Sequence, residues 1–84
     1  MKKNWKRAEQ TYRTIVERDS QNETAVVGLA RICAIRGRSD EAVSWLREAL
    51  ENELVHIDTV QKSKEFAPLR EFREYRELLA EYSI

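Results

Sequence analysis

The chain has 84 residues, with 15 Lys/Arg balanced by 15 Asp/Glu, so its formal net charge is zero. That length bounds it to one small domain with a narrow stability margin. The charge balance argues against non-specific nucleic-acid binding, which needs an excess of cations. No apolar run approaches the ~20 residues that cross a bilayer, and no apolar segment follows Lys2 and Lys3 as it would in a secretory leader. With one cysteine, no internal disulfide and no Cys-based zinc site is available. A cytoplasmic protein that contacts neither nucleic acid nor membrane is the expectation. The charge is nonetheless uneven. Residues 1–38 carry nine cations and four anions, a net of +5, and residues 39–84 carry six and eleven, a net of −5. Such a molecule has a basic and an acidic end.

Two glycines and one proline are the only strong breakers, and Ala, Leu, Glu, Arg and Lys dominate the rest. No alternating β-branched run occurs, so the chain is predicted to be all-α. A first helix is expected from about Lys2 to Arg18, where Trp5, Ala8, Tyr12, Ile15 and Val16 fall on one stripe. Asp19 to Asn22 breaks it. Ser20 or Asn22 can cap the next helix, Ser20 with Glu23 in capping-box spacing. The second helix, about Glu23 to Arg36, has Val26, Leu29, Ala30 and Cys33 on one side and Val27, Ala34 and Ile35 on another, which predicts a helix sandwiched between neighbours. Gly37 fits a left-handed C′ position. Ser39 can cap a third helix that runs to about Asn52, with Ala42, Trp45, Leu46, Ala49 and Leu50 inward and Asp40 and Glu41 in the first turn. The short turn makes the second and third helices antiparallel. Leu54, Val55, Ile57 and Val60 predict a shorter helix to about Lys64, which cannot continue unbroken past Pro68. A last helix, about Leu69 to Tyr82, would turn Phe72, Tyr75, Leu79 and Tyr82 inward and lace its outer face with Arg70–Glu74 and Arg73–Glu77 pairs.

An internal repeat is the strongest signal. Ala8 and Ala42, Tyr12 and Leu46, and Ile15 and Ala49 are each 34 residues apart. Small residues at such places let helix backbones approach, and the large residue one turn on fills the hole beside them. With Leu29-Ala30, Gly37, Asp40-Glu41-Ala42, Leu46 and Ala49-Leu50, this pattern resembles the tetratricopeptide repeat, a 34-residue helix–turn–helix unit. The resemblance implies an antiparallel α-solenoid fragment within a single domain: a half repeat over 2–19, a full repeat over 22–54 and capping helices over 55–84. Val26, Cys33 and Leu54 depart from the family's usual large aromatic, tyrosine and proline. The run Glu65-Phe66-Ala67-Pro68-Leu69-Arg70, with Tyr75 and Leu78-Leu79 after it, resembles the endings of bacterial tetratricopeptide proteins. Arrays need such caps because each unit leaves an apolar face open.

Catalytic patterns are thin. His56 is the only histidine and would have to serve every nucleophile, while Cys33 lies on a core stripe. Glu53-x-x-His56 has the spacing of a di-metal helix motif, but such sites need two copies and further carboxylates. Asn22-Glu23-Thr24 is a sequon that reads as a capped helix start. No enzyme, cofactor or metal is expected. The resemblance implies instead a protein-binding groove along the first helices of the repeats, presenting Thr24, Val27, Arg31, Ala34 and Ile35 with Gln61, Lys62 and Glu65. Arg31 could grip a carboxylate. Val27 and Gly28 stand where chaperone-binding members carry polar clamp residues, so chaperone tails are not the expected partner. Trp5 and Tyr12, on a helix whose usual mate is missing, form a second candidate surface for a homodimer. An adaptor that docks a partner segment and a module that self-assembles through the half repeat both remain open.

Overall fold

The fold is seen in a computed structural model that describes residues 4–82. All its regular elements are helical: α1 (Trp5–Arg18), α2 (Glu23–Ile35), α3 (Ser39–Glu51), α4 (Ile57–Lys62), a 3-10 segment (Lys64–Leu69) and α5 (Arg73–Tyr82). Lys2 and Lys3, at the expected start of the first helix, lie outside the described residues.

Local chemistry sets most of the boundaries. Asn4 Oδ1 accepts the Arg7 N–H at 3.0 Å and starts α1. Asn22, not Ser20, caps α2 by accepting the Ala25 N–H at 3.0 Å. The end of α2 is a Schellman motif with Gly37 at φ +79°. There the Arg38 N–H bonds the Cys33 carbonyl at 2.8 Å and the Gly37 N–H that of Ala34 at 3.2 Å. Ser39 does not cap α3. It is the first helical residue, and the capping position falls to Arg38, whose side chain makes no cap bond and is committed elsewhere.

The same motif ends α3. Leu54 N–H bonds the Ala49 carbonyl at 2.8 Å and Glu53 N–H that of Leu50 at 3.2 Å, with Glu53 at φ +57°. A glutamate holds a place that normally takes glycine. The turn shortens the helix expected over Leu54 to Lys64, and α4 begins only at Ile57, capped by His56 Nδ1 accepting the Asp58 N–H at 3.3 Å. The predicted helix over Leu69 to Tyr82 also contracts, because Pro68 sits in the 3-10 segment that precedes it. Arg70 is thereby left outside α5, while Arg73 and Glu77 do pair at 3.5 Å.

α2 and α3 form an antiparallel pair across the Gly37 turn. α1 packs on α2 from one side, the 3-10 segment from another, and α5 packs on α3 and α4. The main core joins Ala30, Cys33 and Ala34 of α2 to Ala42, Leu46 and Leu50 of α3 and to Phe66, Leu69, Tyr75 and Leu78 from the C-terminal third. Leu78, absent from the stripe expected on α5, is fully buried, and Phe72, Leu79 and Tyr82 pack half-buried around it. Trp45, expected inward on α3, is also only half-buried. A smaller cluster of Val26, Val27 and Ala49 gathers Val16, Trp45, Leu54 and Val55. The 34-residue correspondence holds for position but not for burial. Ala42, Leu46 and Ala49 are buried, whereas Ala8, Tyr12 and Ile15 are half-buried, since α3 lies between α2 and α5 and α1 packs chiefly on α2.

Replacing Glu53 with Gly should stabilise the fold by about 0.5–1 kcal/mol, the relief of left-handed strain outweighing the entropy gained by the unfolded chain. Urea unfolding checks it, with an upward shift of the midpoint at constant slope expected.

Candidate functional site

A cleft of about 340 Å3 opens between α1 and α2 and is closed at one side by the 3-10 segment. Trp5, Ala8 and Tyr12 form its α1 wall, Gly28, Arg31, Ile32 and Ile35 its α2 wall, and Glu65 its rim. The stripe spacing of α1 and the i, i+3, i+4, i+7 run from Gly28 to Ile35 turn these residues toward one another. Ile35 is the one large apolar side chain that is exposed among the described residues, at 43%. Arg31 is exposed and makes no ion pair among them.

The floor of the cleft is a close contact. A Cβ added to Gly28 would lie 2.6 Å from Tyr12 Cε2 and 2.9 Å from two more ring atoms, so the Tyr12 ring lies directly on the α2 backbone. Glycine is required here for space, where Gly37 is required for its dihedral angle.

The structure thus joins two surfaces that the sequence presented separately. Arg31 and Ile35, expected in a partner groove, share one cleft with Trp5 and Tyr12, expected in a homodimer interface. Val27 and Ala34 are not on its wall. They are 8% and 2% exposed, inside the two apolar clusters, because α2 is covered by α1, α3 and the 3-10 segment together. Thr24 is exposed near the start of α2 and Gln61 and Lys62 are exposed on α4, and none of the three lines the cleft. Its third wall comes from the 3-10 segment, not from α4.

One residue that the sequence reading passed over organises the neighbouring surface. Glu9 is the most buried charged residue described, at 7% exposure. Its carboxylate accepts from Arg13 Nε and Nη2 at 3.1 and 2.9 Å, from Arg36 Nη1 at 3.1 Å, and from Arg38 Nη1 at 3.1 and 2.9 Å. Arg13 Nη2 reaches on to Glu41 at 3.1 Å. Burial pushes the Glu9 carboxyl up, but the hydrogen bond from Arg13 and the charge of Arg38 outweigh it, and its pKa falls below the ordinary value. Two signals were available: Glu9 and Arg13 are four apart, and Glu9 follows Trp5 by one turn on the edge of the apolar stripe.

The groups considered for chemistry are dispersed. Cys33 is buried with Sγ 4.0 Å from Glu41, and burial together with the Glu41 and Glu9 charges pushes its thiol up to about 11, so it is protonated at neutral pH. Glu53 lies in the left-handed turn and His56 caps α4, so their i,i+3 spacing does not place them on one helix. Among the described residues no three His, Cys, Asp or Glu side chains come together as a metal site, and no helix is long and apolar enough to cross a membrane. Comparisons with protein-family models, with curated proteins and with solved structures found no match.

The Tyr12–Gly28 contact predicts a substitution whose sign depends on its neighbour. Gly28→Ala should destabilise by about 1 kcal/mol, since overpacking of 1–3 kcal/mol exceeds a helix-propensity gain of about 1. In a Tyr12→Ala background the same change should stabilise, and a double-mutant cycle by urea unfolding reads the reversal. The ion-pair cluster predicts a pH effect. A carboxyl whose folded pKa is lowered contributes fully above its ordinary value and loses that contribution as pH falls through the folded pKa. Glu9→Gln should therefore cost about 1–2 kcal/mol at pH 7, with its partners half-exposed. The gap to the native chain should begin to narrow as pH falls below about 4.5, the ordinary value, and close once pH is below the lowered folded value, in melting curves taken from pH 7 to 2.

Proposed function

We propose that this chain is a tetratricopeptide-like interaction module of the cytoplasm, which holds a segment of a partner protein in the cleft between α1 and α2. The observation that carries the reading is the exposed Ile35 beside Trp5, Tyr12 and Arg31, which makes no ion pair among the described residues. An apolar side chain left open in a concave, aromatic-walled site is stabilised when a partner covers it. Ile35 and the aromatic pair supply affinity by burial, and Arg31 fixes orientation through a carboxylate or carbonyl of the bound segment. The 34-residue register, the antiparallel α2–α3 pair and the Schellman turn at Gly37 support the repeat reading. No catalytic role is assigned, because the nucleophilic and basic side chains are separated or buried.

A second reading is self-assembly through α1. It is favoured by one observation, that Trp5 and Tyr12 share the cleft with Ile35, so a second copy could cover the same surface. Sedimentation at low and high salt separates the two, since a monomer at high protein concentration and low salt removes self-assembly.

For the adaptor reading, Arg31→Glu and Ile35→Asp should each weaken capture of a saturable partner from source lysate by about tenfold or more, with helicity unchanged by circular dichroism. Equal capture by both variants would remove the cleft from the reading.

A further inference from the structure

A second cleft, of about 390 Å3, lies on the adjacent side of α1, against the turn between α2 and α3. Lys6, Arg13, Arg36 and Arg38 line it with Gln10 and a single carboxylate, Glu9. Glu41 neutralises the outer nitrogen of Arg13. Four cations against these two carboxylates leave a local charge of +2.

The donors are in surplus as well. Arg36 and Arg38 both engage Glu9 through Nη1 alone, and their Nε and Nη2 groups make no bond to the described residues. Lys6 is exposed and makes no ion pair among them. Glu9 cannot absorb these donors. Five hydrogen bonds already converge on its two oxygens, which offer about four lone-pair sites. A compact acceptor of double negative charge complements these donors.

We propose that this cleft binds a phosphate group, with Arg36, Arg38 and Lys6 as its ligands and Glu9 as the residue that holds the two arginines in place. A phosphate carries about −1.5 to −2 at neutral pH and matches the local charge, where a carboxylate would match half of it. Its terminal oxygens accept from the free guanidinium edges, and Lys6 adds a mobile point charge. The cleft between α1 and α2 plays no part in this site, which stands whether or not that cleft holds a partner. The phosphate can belong to a free phosphorylated compound or to a phosphorylated side chain.

The test is a titration of the labelled full chain with inorganic phosphate, followed by backbone and arginine side-chain NMR at ionic strength held constant with chloride. Saturable shifts confined to residues 6–13 and 36–38 are expected, with a Kd on the order of 1 mM. Lys6→Gln removes no ion pair among the described residues and should weaken binding about fivefold, the effect of one charge at contact distance in a solvated site. Arg36→Gln should weaken it further. Shifts equal to those from chloride alone, or spread equally over exposed Arg70 and Arg76, would overturn the proposal, as would unchanged binding by Lys6→Gln and Arg36→Gln together. A short phosphoserine peptide with neutral flanks distinguishes the sources: tighter binding than inorganic phosphate assigns a phosphorylated side chain, and equal binding assigns a free compound.

Discussion

The burial of α2 is the constraint that the rest of the chain answers to. Nine of its thirteen residues, Ala25 to Ala30 and Ile32 to Ala34, are buried. A helix so apolar around its circumference cannot stand on a surface, so three other elements each cover a side of it. α3 takes one side through the tight Gly37 turn, α1 another through Tyr12 on Gly28, and the 3-10 segment a third with Phe66 and Leu69. What is left uncovered, Arg31 and Ile35, becomes the open cleft. The candidate site is thus the remainder of a packing problem more than a separately built feature.

Covering α2 with α1 leaves α1 itself half-buried and with a different environment on each side. Its apolar stripe lines one cleft and its charged side lines the other, and Glu9 stands at the boundary between them. The guanidinium cluster compensates for thin apolar contact. Half-exposed ion pairs are individually weak, and a shared, mostly buried acceptor makes three of them act together.

Features governed by neighbours in sequence were legible. Asn22 as a cap, Gly37 at C′, the antiparallel pair and the sandwiched character of α2 all follow from propensity, spacing and turn length. Features decided at a distance were not. Ser39 looked like a cap, yet the Schellman register puts Arg38 there. Periodicity in the C-terminal third predicts two longer helices, since nothing local announces that Pro68 sits in a 3-10 turn which seats Phe66 and Leu69. Val27 and Ala34 were expected on a groove through a family resemblance, although their place on a second apolar side of α2 already pointed inward. For Glu9 the local pairing with Arg13 is legible in the spacing, but its burial is not, because that depends on Arg36 and Arg38, 27 and 29 residues away.

The uneven attachment of α1 divides the molecule into compartments of different cohesion. α2, α3 and the C-terminal third share one continuous apolar core. α1 contributes no fully buried apolar side chain to it and is secured by half-buried apolar contacts, Tyr12 on Gly28 and Val16 on the Val26–Val27 cluster, and by a set of partly screened charges. Its amides should exchange with solvent at a lower free-energy cost than those of α3, and that cost should fall as salt rises, while the core behind it keeps its protection. The chain is in this sense a stable three-sided wedge carrying a detachable fourth side.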